Sequence, residues 1–173
     1  IIAATTEAAR FFRSALFSPS GEAALKYLEK RQFSATTVRH FGIGYAPDSW
    51  DALTSHLIKM KFTPLELTTA FLCGTNKNGR LYDMFRNRLM FPVFDIQGDV
   101  VAFSGRRLNE SDERKYVNTS DTPAFKKSKL LFGLNIAKNT KEGFLILCEG
   151  APDAIALHQA GFTNAVATLG TAI

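Results

Sequence analysis

A chain of 173 residues that is 46% hydrophobic can bury a substantial core, and its length suits one medium domain or one and a half small ones. Its apolar runs fall far short of a membrane span. Its N-terminus also lacks the basic start, apolar stretch and small-residue cleavage site of a secretion signal, so a cytoplasmic protein with no membrane partner is expected. The net charge is +5, and the two cysteines, Cys73 and Cys148, form no CxxC pair, which excludes a zinc ribbon within the chain and leaves a disulfide without support.

The first 72 residues read as helices. Phe11, Phe12, Ala15 and Leu16 recur at helical spacing within residues 5 to 17, and "SPSG" then breaks the pattern. A second helix is predicted after Ser20 as N-cap, burying Ala24, Leu25 and Leu28 and ending near Arg31. Ser34 is placed to cap a short third helix, and Asp48 to cap "SWDALTSHLIKM". "TPLE" is a fuller start signal: Thr63 as N-cap, Pro64 at the first helical position and Glu66 two residues on make a capping box. Gly74 is the predicted stop of that helix.

The pattern then changes period. "NKNGRL" carries an Asn-Gly turn dipeptide, and "RNRLMFPVFDIQGDVVAFSGRR" reads as two strands, 88 to 95 and 99 to 106, joined at Gln97-Gly98. Residues 107 to 128 form a polar, basic loop with a short strand at "KYVN". Residues 106 to 141 hold nine Lys or Arg against four acids, so this window carries the whole net charge of +5 and the remainder is neutral. Two readings stand level: a solvated lysine-rich face, or a polyanion-binding surface in which Tyr116 and Phe125 between the cations point to nucleic acid.

Residues 143 to 171 read as apolar strand "FLILC", helix "PDAIALHQA", a stop at Gly161 and strand "NAVATL", a βαβ unit whose two strands should be parallel. Such a pair needs cover on both faces, so the chain is expected to end inside a domain, with a boundary near residue 140. Glu149 falls at the carboxyl end of the first parallel strand, where ligands of open α/β sheets gather. Gly150 lets the backbone turn there, and Asp153 falls in the first helical turn. The two carboxylates could reach one crevice and suit Mg²⁺, a hard cation that takes oxygen ligands. An acid in a first helical turn is also a routine partner of the helix dipole, so Asp153 stands evenly between the two roles. A carboxylate at a buried strand end needs a partner to offset its desolvation, which favours a site role for Glu149. His40 and His56 look like helix-surface positions and His158 lies mid-helix. None has a ligand-spaced companion, and no Ser/His/Asp set is visible.

"LILCEGAPDAIAL" with "AVATLGT" resembles the start of a TOPRIM domain, the metal-binding unit shared by bacterial DnaG-type primases, type IA and II topoisomerases and some nucleases. Upstream, "YLEKR", "FGIGYAPDSWDAL", "FRNRLMFPVFD", "GDVVAFSGRRL" and "KYVNTSDTPAFKKSKLLFGL" are similar, in order, to the primase catalytic core, so the likeness covers nearly the whole chain. The fold it implies is an α+β primase-core subdomain over residues 1 to 140, then a partial α/β TOPRIM unit with parallel strands over residues 141 to 173.

The function it implies is metal-dependent synthesis of short RNA primers on single-stranded DNA from ribonucleoside triphosphates, with a replicative helicase as partner through a further C-terminal domain. By position, Glu149 would be the first metal-coordinating and catalytic carboxylate and Asp153 a second-rank ligand for Mg²⁺ or Mn²⁺. Arg31, Arg106, Lys115, Tyr116, Asn118 and Lys127 match positions that bind template and nucleotides, and Arg86 and Arg88 stand in the neighbouring motif. Zinc would belong only to a domain preceding the core. Departures are Ala151-Pro152, where the family typically has Tyr-Met, and the Asp-x-Asp signature, which would lie beyond Ile173. The chain alone is therefore expected to make little or no primer. Another TOPRIM enzyme, such as a nuclease or topoisomerase piece, and a non-catalytic single-strand-binding module are the alternatives.

Overall fold

The computed structural model describes residues 1–170; residues 171–173, the last of the predicted second unit, lie outside the described residues. Its centre is a four-stranded antiparallel sheet with strand order β1-β4-β5-β6, built from β1 (Gly44–Ala46), β4 (Arg88–Phe94), β5 (Val100–Arg107) and β6 (Tyr116–Asn118). The predicted pair of long strands is β4 and β5, hydrogen-bonded from Arg88↔Arg107 to Phe94↔Val100, and Gly98 (φ 91°) closes their turn. Nearly every residue of β4 is buried because both faces are covered. Leu89, Phe91 and Val93 join one apolar core and Met90 the other. The short strand expected at "KYVN" is β6, paired with β5 through Arg106↔Tyr116.

Helix α1 (Ile2–Leu16) lies along this sheet through Ala4, Ala8 and Phe12. The wholly buried Thr5 donates its hydroxyl to the Val100 carbonyl at 2.6 Å, which pins the helix to β5. On the other core face sit α2 (Glu22–Lys30) and α3 (Ala35–Phe41), contributing Leu28, Val38 and Phe41. Helix α4 (Ala52–Lys59) and helix α5 (Pro64–Thr69) complete the first core with Leu53, Leu57 and Leu67. Ser34 caps α3, accepting from the Thr37 N–H at 3.1 Å, and both halves of the Thr63–Glu66 box are present at α5.

Four expectations are corrected. Ser20 does not cap α2: a 3₁₀ turn, Pro19–Gly21, runs straight into the helix, and the Ser20 hydroxyl pairs with that of Ser18 at 2.8 Å. Asp48 does not cap α4; the cap residue is Asp51, and the first-turn N–H groups of Leu53 and Thr54 donate to Asp83, each at 2.9 Å. Gly74 is not a helix stop. Phe71 takes the left-handed conformation after α5 (φ 63°), and Gly74 lies in β2 (Cys73–Thr75), opposite Tyr82 of β3 (Leu81–Asp83). A Cβ at Gly74 would stand 2.5 Å from the Tyr82 ring, so the glycine serves packing. Finally, β1 interrupts the stretch that reads as all helix, because three residues are too few to show a period.

The last unit is β7 (Ile146–Cys148), α7 (Ala151–Gln159) and β8 (Ala165–Ala167), with β7 and β8 parallel as expected. Ala151, Ala154, Ile155, Ala165 and Ala167 share the core that holds Leu28, Phe41 and Phe91. After the short helix α6 (Leu134–Ala137), the chain reaches this unit, and just before α6 Phe132 pairs with Ala167 through two backbone hydrogen bonds. The strand read as buried is not: Phe144 and Leu147 are 61% and 56% exposed. The exposure is confined to β7 and the residues before it, because β8 is buried throughout.

Candidate catalytic and nucleic-acid site

Three elements meet at the end of β7. Glu149 and Gly150 form the turn into α7, whose first helical residues are Ala151 and Pro152. Edge strand β6 comes up beside that turn, and α2 faces the first turn of α7. Together they leave a cavity of about 580 Å³ lined by Ser104, Tyr116, Asn118, Glu149, Gly150, Thr168 and Gly170.

Glu149 is exposed, in contrast to its expected burial, because β7 itself is only half covered. No hydrogen bond or ion pair to its carboxylate occurs among the described residues. Asp153, also exposed, lies 3.8 Å from Arg31. Arg31 donates to the Tyr27 hydroxyl at 3.0 Å and stands 5.9 Å over the rings of both Tyr27 and Phe33. Arg106, almost fully buried, lies 4.9 Å over the same Tyr27 ring and donates to the Arg107 carbonyl at 2.8 Å. Tyr27 thus holds two of the expected phosphate-binding cations against an aromatic face. Burial pushes the Tyr116 hydroxyl above its ordinary pKa, Asp153 adds to the rise, and Arg106 opposes it. The Asn118 side-chain oxygen is buried in the cavity wall without a partner among the described residues.

The other candidates separate. Lys115 is exposed beside Tyr116, its ammonium 5.9 Å from that ring, and Lys127 lies on the basic loop, where its N–H donates to Asp121 at 2.9 Å. Phe125 is buried in the core and offers no face for stacking. Arg88 is 3% exposed and committed to the protein: it bonds the Gly105 carbonyl at 3.1 Å, the Lys115 carbonyl at 3.3 Å and the Asp112 carboxylate at 3.1 Å. Burial lowers its pKa, with Asp112 opposing. Arg88 therefore fastens the loop that delivers Lys115 and Tyr116. Arg86 instead lies 4.0 Å over the exposed ring of Trp50, with Tyr82 at 5.9 Å, on the rim of a second, polar pocket of about 320 Å³ that also includes Arg88 and Arg114.

Tyr27, Trp50 and Tyr82 lie against candidate cations and are not singled out by the sequence. Each is a single aromatic whose value comes from a cation brought to it by folding. Trp50 stood inside the quoted "FGIGYAPDSWDAL", but nothing in that string shows an arginine resting on its ring.

The family description "DNA primase catalytic core, N-terminal domain" matches residues 11–138, and the Toprim domain description matches residues 143–173. The chain belongs to the DnaG-type primase catalytic-core family. It is 43% identical to a Mycobacterium leprae DNA primase over 99% of this chain and 27% of that protein. It is 46% identical to a Synechococcus elongatus DNA primase over 96% of this chain and 24% of that protein. The chain thus spans about a quarter of the length of these curated relatives. Its fold matches the RNA polymerase domain of Mycobacterium tuberculosis primase DnaG, in a complex with a double-stranded DNA oligomer carrying a 6-nucleotide overhang, with a TM-score of 0.92 and 42% identity. That match covers 99% of this chain and 55% of the other. A DnaG primase catalytic domain bound to single-stranded DNA matches with a TM-score of 0.88 and 38% identity, over 98% of this chain and 55% of that one. The primase core described here is therefore the mixed α+β body, and its last unit opens a Toprim domain.

Among the described residues, no group of three or more His, Cys, Asp or Glu side chains converges. The same residues present Glu149, a carboxylate without a partner among them, beside an open cavity. That fits a hydrated hard cation held through one or two carboxylates, and does not fit an all-protein cage.

Proposed function

We propose that this chain is the part of a DNA primase that grips single-stranded template and presents the first metal-binding carboxylate for RNA primer synthesis. The observation that carries the reading is Glu149: exposed, without a protein partner among the described residues, and sharing a cavity wall with Tyr116 and Asn118 of the basic strand. A structural carboxylate would have partners, whereas a ligand for an exchangeable cation must keep its oxygens free.

Primases with a Toprim domain generally use a divalent metal. In this chain Glu149 would hold Mg²⁺ or Mn²⁺, with Asp153 behind it and the remaining ligands supplied by sequence beyond Ile173. The ion, when bound, would neutralise triphosphate charge and favour ionisation of the primer hydroxyl. The chain's own residues do the rest. Arg31, Arg106, Lys115 and Lys127 hold phosphates without reading bases, as a sequence-independent grip on the template requires. Tyr116, and Trp50 backed by Arg86, offer ring faces to bases. The substrates would be ribonucleoside triphosphates, the wider partner a replicative helicase, and the compartment the cytoplasm; no helix is long and apolar enough to cross a membrane among the described residues.

Glu149→Gln in the full-length gene product tests the reading. Primer synthesis should vanish while single-stranded DNA binding persists. Synthesis that survives the change would refute the assignment.

A further inference from the structure

Gly150 has an ordinary extended backbone, with φ −141° and ψ 157°, so its conformation is open to any residue. The reason for a glycine is steric. A Cβ there would stand 2.4 Å from the Tyr116 hydroxyl oxygen and 2.9 Å from Cζ of the same ring. Tyr116 thus occupies the place that a side chain at position 150 would need.

The contact is made by the far end of the Tyr116 side chain, and what limits its movement is the backbone on either side. Tyr116 sits on β6 in register with Arg106, and the backbone just before it is tied twice: the Lys115 carbonyl accepts from the Arg107 N–H at 2.9 Å and from Arg88 at 3.3 Å. Arg88 is itself buried. Across the gap, Gly150 is buried at the start of α7, which is anchored in the core by Ala151, Ala154 and Ile155. The contact joins the basic unit to the parallel unit one residue from Glu149.

We propose that Tyr116 is a positioning residue for Glu149: its phenol, seated in the space left by Gly150, fixes the strand-to-helix turn that carries the carboxylate. This rests on the primase reading of Glu149. Position 150 must be glycine because position 116 is tyrosine, and the pair works as one fitting. Tyr116 thereby acts through Gly150 on the chemistry, in addition to any base its ring faces.

The test is a double-mutant cycle in the full-length gene product with Gly150→Ala, Tyr116→Leu and the two together. Gly150→Ala adds a single methyl, yet should lower kcat for primer synthesis by about 100-fold, the scale of a 1 Å misplacement, with template Kd changed far less because Arg31 and Lys127 stay in place. Tyr116→Leu should also lower kcat. The double variant should be no worse than Tyr116→Leu, because leucine leaves room for the added methyl. Losses that multiply in the double variant would overturn the proposal, as would a Gly150→Ala enzyme with normal kcat. Should Gly150→Ala alone fail to fold, circular dichroism of the double variant decides: a folded protein supports the fitting, and an unfolded one overturns it.

The same cycle read as melting temperature of this 173-residue chain needs no catalysis. Coupling there, combined with primer synthesis that survives Glu149→Gln, would leave the fitting standing and sink the primase reading instead. Glu149→Gln inactivation with no coupling would do the reverse.

Discussion

Two strand ends in this molecule present a carboxylate to the first turn of a helix, and their surroundings assign them opposite work. Asp83 ends β3 against α4; Glu149 follows β7 into α7. Asp83 is 1% exposed and accepts from the Leu53 and Thr54 N–H groups, each at 2.9 Å, and from the Thr54 hydroxyl at 2.6 Å. Glu149 is exposed and accepts nothing among the described residues. A buried ion is tolerable only when its oxygens are filled, so Asp83 has no capacity left for a ligand. Filled oxygens at a strand end mark a structural carboxylate, whereas oxygens left free among the described residues beside a cavity are what the proposed metal role requires.

The comparison breaks first at stability. Asp83→Ala strips three hydrogen bonds from a charged acceptor and leaves two helix N–H groups buried without partners, a loss of about 3 kcal/mol. For a chain of this size that lowers the melting temperature by roughly 10 °C, readable by circular dichroism. Glu149→Gln should stay within about 0.5 kcal/mol of the parent, as an exposed substitution without partners does. Equal melting shifts for the two would erase the distinction.

The arginines of "RNR" repeat the contrast in positive charge. Arg88→Met removes a buried donor that serves Gly105, Lys115 and Asp112 and should cost about 2 kcal/mol. Arg86→Ala gives up a stack on the exposed Trp50, worth about 0.5–1 kcal/mol in stability. Its larger effect should be weaker single-stranded DNA binding, measured by fluorescence anisotropy. An Arg86 variant that binds normally would remove the Trp50 ledge from the template path. At Lys115 and Lys127, substitution by Gln should each lower the slope of log K against log salt by about 0.7, the value for one single-strand phosphate contact. An unchanged slope would mean that the cation touches no phosphate.

What was legible in the sequence follows from range. Ser34 and the Thr63–Glu66 box could be read because donor and acceptor lie within three residues, and the β4–β5 hairpin because its turn residues sit between its strands. The cap of α4 could not, because its acceptor is Asp83, thirty residues on. "FLILC" misled by composition: apolar residues announce a strand, but burial depends on whether another layer covers it. Glu149 is picked out by its place at a strand end and by the family likeness, whereas desolvation supplies no reason for a site role because the strand end is exposed. Gly150 was read as backbone freedom and turned out to be room for Tyr116, a residue from another strand. Arg31 and Arg106 were found as cations, but the Tyr27 ring that gathers them was not.

Glu66 is the intermediate case that sharpens the rule, half-buried where Glu149 is exposed, and partnered like Asp83. Its carboxylate accepts from the Thr63 N–H at 3.1 Å and from the Thr63 hydroxyl at 3.0 Å. The backbone bond first, and the hydroxyl second, hold its pKa below the ordinary 4.5. A depressed folded pKa means that the carboxylate form is favoured by folding. Its contribution is therefore complete above pH 4.5 and fades as pH falls through the lower folded value. Melting temperature should decline on the acid side partly through this residue, and Glu66→Gln should flatten that part of the decline. The effect is the smallest expected here because both partners are in water. An acid-side slope that Glu66→Gln leaves unchanged would mean that the capping box gives this carboxylate no advantage on folding.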